Sequence, residues 1–391
     1  MSEERTMITR MIEERKITVE EGLALLEALD GSKSAQAAGT AVTAVTPTPP
    51  PAPAPPSAPA PLHQEIQPLV SAHRTQGEAY WESKHDSFPT EYVEFATDNA
   101  SIQYRTWDQD FTQVNVSAKM DKPTGSFDLH SWLQEAVTQS SDDERYRFNL
   151  KSDDLNGRQV ELAVTIHVPQ GQAYELFHMS ATNGFIDVQH LRAETAGFTS
   201  ANGNIIIHDL HVEQVNVTTI NGLIKVSELL AESAQLKTTN GEIVAGGKLE
   251  KLECHTTNGS VHTDGVLAES INVHTQNGSI RTNSQFEQLT CRSQNGSIEI
   301  QLADASSDSS ITADTHNGGI RIQFPAHSSG VYGELTVAHG RAACRLNGQQ
   351  LVNKNDGDDA DPCQTFRQDD EELTFIKASS FNGSIVVSDE V

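Results

Sequence analysis

Seven basic side chains recur at matched distances from an Asn-Gly pair: Lys237, His255, His274 and Arg292 three residues before it, and Lys225, His262 and Arg281 four after it. Cationic groups repeated in this way form a stripe to which an anionic glycan, a teichoic-type polymer or a lipid head group would bind. The histidines would strengthen it as they protonate near pH ~6.5. The plainer alternative is a solvated face without a ligand. His255 and His274 fall at the same place in adjacent copies, close enough to share a metal ion. No carboxylate or cysteine is placed to complete a shell, so neither a metal nor another cofactor is expected. Cys254 and Cys291 share one inward position two copies apart, ~9.6 Å, too far for a disulfide. Cys344 and Cys363 lie outside the pattern, and their pairing stays open. The stretch from Asn353 to Asp361 is rich in aspartate, but Lys354 stands where a calcium ligand belongs, which favours a solvated acidic loop. There is no nucleophile with a base, no paired-carboxylate cleft and no phosphate loop. The outward positions are read as holding no repeated Asp or Glu cluster of the kind that polysaccharide-cleaving β-helices use. These residues point to binding, not to an enzyme.

The elements that must carry the stripe follow from the repeat. Asn-Gly occurs at Asn183, Asn202, Asn221, Asn240, Asn258, Asn277, Asn295 and Asn317, at intervals of 19, 19, 19, 18, 19, 18 and 22 residues, with a further copy at Asn382. Aligned on the Asn, four columns are apolar: three and five residues after it, and four and six before it. Ile186, Ile205, Ile224 and Ile243 begin the first of them. Alternation of apolar and polar positions is the period of a β-strand, so these columns face inward. Two residues before the Asn stands a small residue in every copy, a place where a hydroxyl can bond the backbone of a sharp corner. Asn-Gly itself is expected to supply the positive φ of that corner. A row of β-hairpins would also use Asn-Gly. Like residues at like positions favour rungs stacked ~4.8 Å apart, a single-stranded β-solenoid.

Around the array the texture changes. Residues 6 to 29 read as two short helices, with Thr18-Val19-Glu20-Glu21 as a capping box before the apolar stripe Leu23, Leu25, Leu26 and Leu29. Helices this short need another surface, so self-association through residues 6–29 stands beside docking on the same chain. Nine prolines fall in the fifteen positions from Pro47 to Pro61, a polyproline II spacer of roughly 45 Å. From about residue 92 the sequence turns to β, with residues 121 to 157 read as polar and loop-like around Trp132.

A formal net charge of -27 repels phosphate backbones, which argues against nucleic acid and favours cationic partners. Met1 to Lys16 lacks the apolar core of a secretory signal, and no run is long enough for a membrane span. The expected location is the cytoplasm, with export by a non-standard route as the alternative.

The β segment ending Val168-Pro169-Gln170-Gly171, followed by rungs such as Thr238-Thr239-Asn240-Gly241-Glu242-Ile243 and Gln276-Asn277-Gly278-Ser279-Ile280, resembles the bacterial putative-adhesin domain of unknown function. Met7 to Leu29, with Lys16-Ile17-Thr18-Val19-Glu20-Glu21-Gly22, is similar to the short helical segment that precedes this domain in LiaX- and YvlB-like proteins of Gram-positive bacteria. The resemblance implies a β-solenoid, no defined catalytic residues, and a link to the envelope stress response, including defence against cationic antimicrobial peptides. The chain departs from shorter members in its Pro-Ala spacer and Asp-rich loop.

The expected protein is therefore mainly β. A helical pair (1–30) and a Pro/Ala-rich linker (31–91) precede an N-terminal β cap (92–170), the solenoid repeats (171–325) and a C-terminal β cap (326–391). Its expected function is non-enzymatic binding or sensing in envelope stress, with a protein or peptide partner such as a cationic peptide or a stress regulator. The alternative is an adhesin-like surface protein that acts by stacking or attachment.

Overall fold

A computed structural model describes residues 77–120, 127–152, 155, 158–302, 308–326, 328, 330–346, 349–354, 363–367 and 374–389. The expected helical pair, the polyproline spacer and residues 355–361 of the acidic loop lie outside the described residues.

The chain enters through β1 (Glu78–His85), β2 (Tyr92–Thr97), β3 (Ala100–Trp107) and β4 (Thr112–Met120). A helix, α1 (Leu129–Ala136), follows, and then β5 (Val137–Ser141), β6 (Arg145–Leu150), β7 (Val160–Pro169) and β8 (Ala173–Ala181). Two expectations are corrected here. The linker read as far as residue 91 has already become strand at Glu78, which pairs antiparallel with Lys119. The stretch read as loop holds α1, capped by the Asp128 carboxylate on the amides of His130 and Ser131, and the antiparallel pair β5 and β6. Its polar composition hid one apolar face, Leu129 and Leu133, which is all that an eight-residue helix needs to dock.

Stacking in this cap does not follow chain order. β2 lies between β6 and β8, and β3 pairs with both β7 and β9, all in parallel. Aromatic rings fill the space: Phe88 stacks on Tyr146 at 4.2 Å, Phe95 sits 5.8 Å from Phe148, and Phe177 reaches Phe198 at 6.3 Å.

The rungs are β9 (Ile186–Ser200), β10 (Ile205–Thr219), β11 (Ile224–Thr238), β12 (Ile243–Thr256), β13 (Val261–Thr275) and β14 (Ile280–Ser293). Each pairs in parallel with the next, Ile186 with Ile205, Ile205 with Ile224 and so on, which excludes a hairpin array. All four apolar columns are buried; from Ile186 to Ile385 no member of the first is more than 1% exposed.

The corner chemistry differs from the expectation. Among the described residues, none of the glycines of the Asn-Gly array has a positive φ. Glycine is required by close approach instead: a Cβ on Gly203 would lie 1.9 Å from the Gly184 carbonyl oxygen, and one on Gly241 would lie 1.8 Å from that of Gly222. The asparagines form a ladder. Asn202 Nδ2 donates to Asn183 Oδ1 at 2.7 Å, and the same bond continues upward to Asn382 on Asn317 at 2.8 Å. From Asn202 onward the hydroxyl two residues before the Asn donates to the glycine carbonyl of the preceding rung, as Thr238 does to Gly222 at 3.2 Å.

Positive φ appears at a second corner that the sequence reading missed. It falls at His190, Asp209, Glu228, Gly247 and Gly265, one on each of five successive rungs. A third break follows near Glu194: Ala193 turns inward, Glu194 and Thr195 both face out, and Ala196 turns in again.

After β15 (Ile298–Leu302), β16 (Ser309–Asn317) and β17 (Ile320–Phe324) come β18 (Val331–Leu346), β19 (Gln349–Lys354), β20 (Cys363–Arg367) and β21 (Thr374–Asp389). Order is broken again. The last strand, β21, inserts in parallel between β16 with β17 on one side and β18 on the other. Antiparallel β19 and β20 then pair with β18 at this end of the stack.

Candidate functional site

Register decides which side chains share a face. Lys237, His255, His274 and Arg292 are consecutive partners across β11 to β14, so four members of the expected stripe do form one column. The second set is interrupted: Lys225 pairs with Val244, and only then do His262 and Arg281 follow.

The charges are largely answered locally. Arg281 pairs with Glu299 at 2.9 Å, Arg292 with Asp314 at 3.4 Å, and His262 with Glu242 at 3.3 Å. The His255 and His274 rings stack at 5.0 Å, tilted by 18°. Burial, the His274 ring and then Lys237 hold His255 below the ordinary histidine range, so its protonation comes later in acidification than the sequence reading supposed. Lys225 and Lys237 make no ion pair among the described residues. Beyond Arg292 the column opens into a shallow groove of about 450 Å³, lined by Asp314, His316, Ser379 and Phe381 among others. His316 covers one side of Phe381 at 4.7 Å and His339 meets it edge-on at 5.1 Å, so the ring is held inside a stack.

A more regular column was missed. Eight residues before seven successive Asn-Gly pairs stand Glu175, Glu194, Glu213, Glu232, Glu250, Glu269 and Glu287. Neighbouring partners place each above the last: Tyr174 on Ala193, His211 on Leu230, Ala231 on Leu249, Leu249 on Ala268 and Ala268 on Phe286. All seven are exposed. None is in an ion pair among the described residues. This corrects the reading that no acidic cluster repeats outward. The signal is in the sequence, at a fixed offset of eight places before the Asn, two places beyond the outermost apolar column.

The spacing of the column, ~4.8 Å per rung, sets its electrostatics. Two unit charges that close repel by roughly 0.9 kcal/mol in water, and each inner carboxylate has two such neighbours. Glutamates on an outer corner can splay apart and hydrate, which makes the arrangement tolerable. A multivalent cation or a cationic chain would relieve it. The corner is convex, and neither pocket described for the molecule is lined by these glutamates. Among the described residues, no group of three or more His, Cys, Asp or Glu side chains could hold a metal ion.

The cysteines serve packing. Cys254 and Cys291 are buried, and burial pushes the Cys254 thiol up to about 12 and Cys291 further. Cys344 is buried and Cys363 exposed, with no disulfide between them.

The sequence model of the Toastrack DUF4097 family matches residues 91–329, well over half of the chain. The chain belongs to the Toastrack DUF4097 family. The match begins at β2 and spans the glutamate column, so every rung that carries the charged columns lies in the Toastrack region. Ahead of it, residues 3–34 match a SHOCT-like domain, the segment in which the helical pair was read. No curated protein matches the chain. Among solved structures, the Toastrack chain is similar to a putative adhesin from Parabacteroides distasonis ATCC 8503, at 13% identity over 80% of this chain and 97% of that one, TM-score 0.42. A putative lipid binding protein from the same organism matches at 9% identity over 80% and 97%, TM-score 0.39. A putative adhesin from Bacteroides fragilis NCTC 9343 matches at 10% identity over 80% and 97%, TM-score 0.30. No helix among the described residues is long and apolar enough to cross a membrane.

Proposed function

We propose that this protein is a non-enzymatic, adhesin-like attachment scaffold of the bacterial envelope that holds a cationic partner along its glutamate column. The observation that carries this reading is the column itself: seven stacked, exposed carboxylates, none in an ion pair among the described residues, on a chain of net charge -27. Apolar columns, the asparagine ladder and the hydroxyl column are each accounted for by folding. The glutamate side chains make no ion pair among the described residues, and their mutual repulsion is what a polycation would remove. A line of carboxylates along an outer corner suits an extended cationic partner better than the orienting of a small substrate.

The same column supports a narrower reading, in which the partner is a cationic antimicrobial peptide and the protein reports envelope damage through its N-terminal segment. The basic stripe is the weaker candidate, since Arg281, Arg292 and His262 already have carboxylate partners.

Binding of a fluorescent cationic amphipathic peptide and of polylysine to the full chain tests the proposal. Replacing Glu213, Glu232 and Glu250 by Gln should weaken binding about tenfold at low salt, since each exposed charge contact is worth ~0.2–1 kcal/mol. It should also flatten the salt dependence. Lys237→Glu with Arg292→Glu should leave this binding in place. Unchanged affinity in the glutamate variant would remove the proposal. Protease accessibility on intact cells separates the readings, because full protection would rule out attachment at the surface.

A further inference from the structure

The second corner holds a cluster that the charged columns do not use. Where β9 and β10 turn, His190 and Asp209 adopt left-handed backbone, φ 58° and 56°, conformations that side chains seldom take. Asp209 sits between two imidazoles: Oδ2 is 2.5 Å from His190 Nδ1, and Oδ1 is 3.1 Å from His211 Nε2. One register step from His211 stands Arg192. Over them lies the turn from β7 to β8, where Gly171 has φ 85° and Gln172 is fixed by a bond to the Phe88 carbonyl at 2.9 Å. Thr106 at the end of β3 closes the side. Together these residues line a half-open cleft of about 220 Å³.

Its chemistry is one-sided. Both Asp209 oxygens are occupied by the rings, and the bond from His190 holds its carboxyl below the usual range, so it remains an ionised acceptor for the histidines. The cleft is otherwise lined by the Arg192 guanidinium, the second nitrogen of each ring, a donor when that ring is protonated, the Thr106 hydroxyl and the side-chain amide of Gln170. None of these has a hydrogen-bond partner among the described residues. Arg192 makes no ion pair with Glu194, two residues further on. A guanidinium with imidazole, hydroxyl and amide donors arriving from four elements suits an anion with several acceptor oxygens better than a planar carboxylate.

We propose that this corner cleft binds the phosphoryl group of a small phosphate ester, with Arg192 as the charged contact and His190 and His211, set by Asp209, as donors. The overall negative charge does not prevent it, because exposed charges more than ~8 Å away are largely screened at physiological salt. The residues of the site are not those of the glutamate column, which passes two residues from Arg192 at Glu194.

Titration of the full chain with inorganic phosphate, followed by NMR of the histidine rings, tests the assignment. Saturable shifts of His190 and His211 are expected. Arg192→Gln should weaken the affinity about tenfold, while Lys237→Gln, on the basic column, should leave it unchanged. Absence of saturation, an unaffected Arg192→Gln variant, or an equal loss in Lys237→Gln would each overturn the proposal. Glycerol phosphate and vesicles containing phosphatidic acid then identify the source: preference for the first indicates a soluble ester, and for the second a lipid head group. Either preference upholds phosphoryl recognition. Binding of cationic peptide to Arg192→Gln should be intact, so this site and the glutamate column fail separately.

Discussion

At the level of single residues, the Asn-Gly pair does two jobs that look alike in sequence and differ in physics. Asparagine is retained for hydrogen bonds along the ladder, such as Asn240 on Asn221 at 2.7 Å and Asn258 on Asn240 at 2.8 Å. Glycine is retained because the rung below leaves no space for a Cβ. The two should therefore respond differently to alanine. Asn240→Ala removes one donor and one acceptor at an exposed site where water can replace both, and should destabilise by about 1 kcal/mol. Gly241→Ala places a methyl 1.8 Å from backbone oxygen and should destabilise by about 3 kcal/mol or more, since backbone must move. Urea unfolding of both variants checks the order. A sharp corner leads one to expect positive φ from Asn-Gly. Only stacked rungs create the contact that replaces it.

At the level of elements, a rung is one long strand bent at three corners, and columns follow from register. Inward columns were legible because apolar type repeats strictly at fixed offsets from the Asn. Outward columns are harder to see, because solvent tolerates mixed residues: the basic set contains Val244 between Lys225 and His262. Charge coupling within a column also depends on register. His255, against His274 and Lys237, has a folded pKa below its ordinary value of 6.5, with burial the first cause. Its neutral form is thus favoured by folding. The stabilisation is present above ~6.5 and is lost as pH falls through the folded pKa. The His255 ring should titrate below 6.5 by NMR, and Lys237→Gln should move its midpoint upward while leaving it below His274-free values. A midpoint insensitive to Lys237 would show that burial and His274 set it.

For the whole molecule, stability is nearly a sum over neighbouring rungs, because each contacts only the ones on either side. Removing residues 240–257 deletes one repeat of 18 residues and lets Asn258 take the place of Asn240 on Asn221. The shortened chain should fold, with the same circular dichroism signature and a lower melting temperature. Loss of cooperative unfolding would show that the register slips. The ends behave differently, because β2 and β21 enter their stacks out of chain order and join segments distant in sequence. The sequence alone determined the β core, the rung length and the four buried columns, since a period of two and a fixed offset from Asn-Gly are local properties, and it favoured stacked rungs over hairpins. Tertiary structure decided what depends on stacking: the parallel pairing of the rungs, the close contacts that require glycine, the left-handed corner, the threading of the terminal strands, and the gathering of one histidine cleft. These are relations between residues ~18 or more apart, which become neighbours only when one rung lies on another.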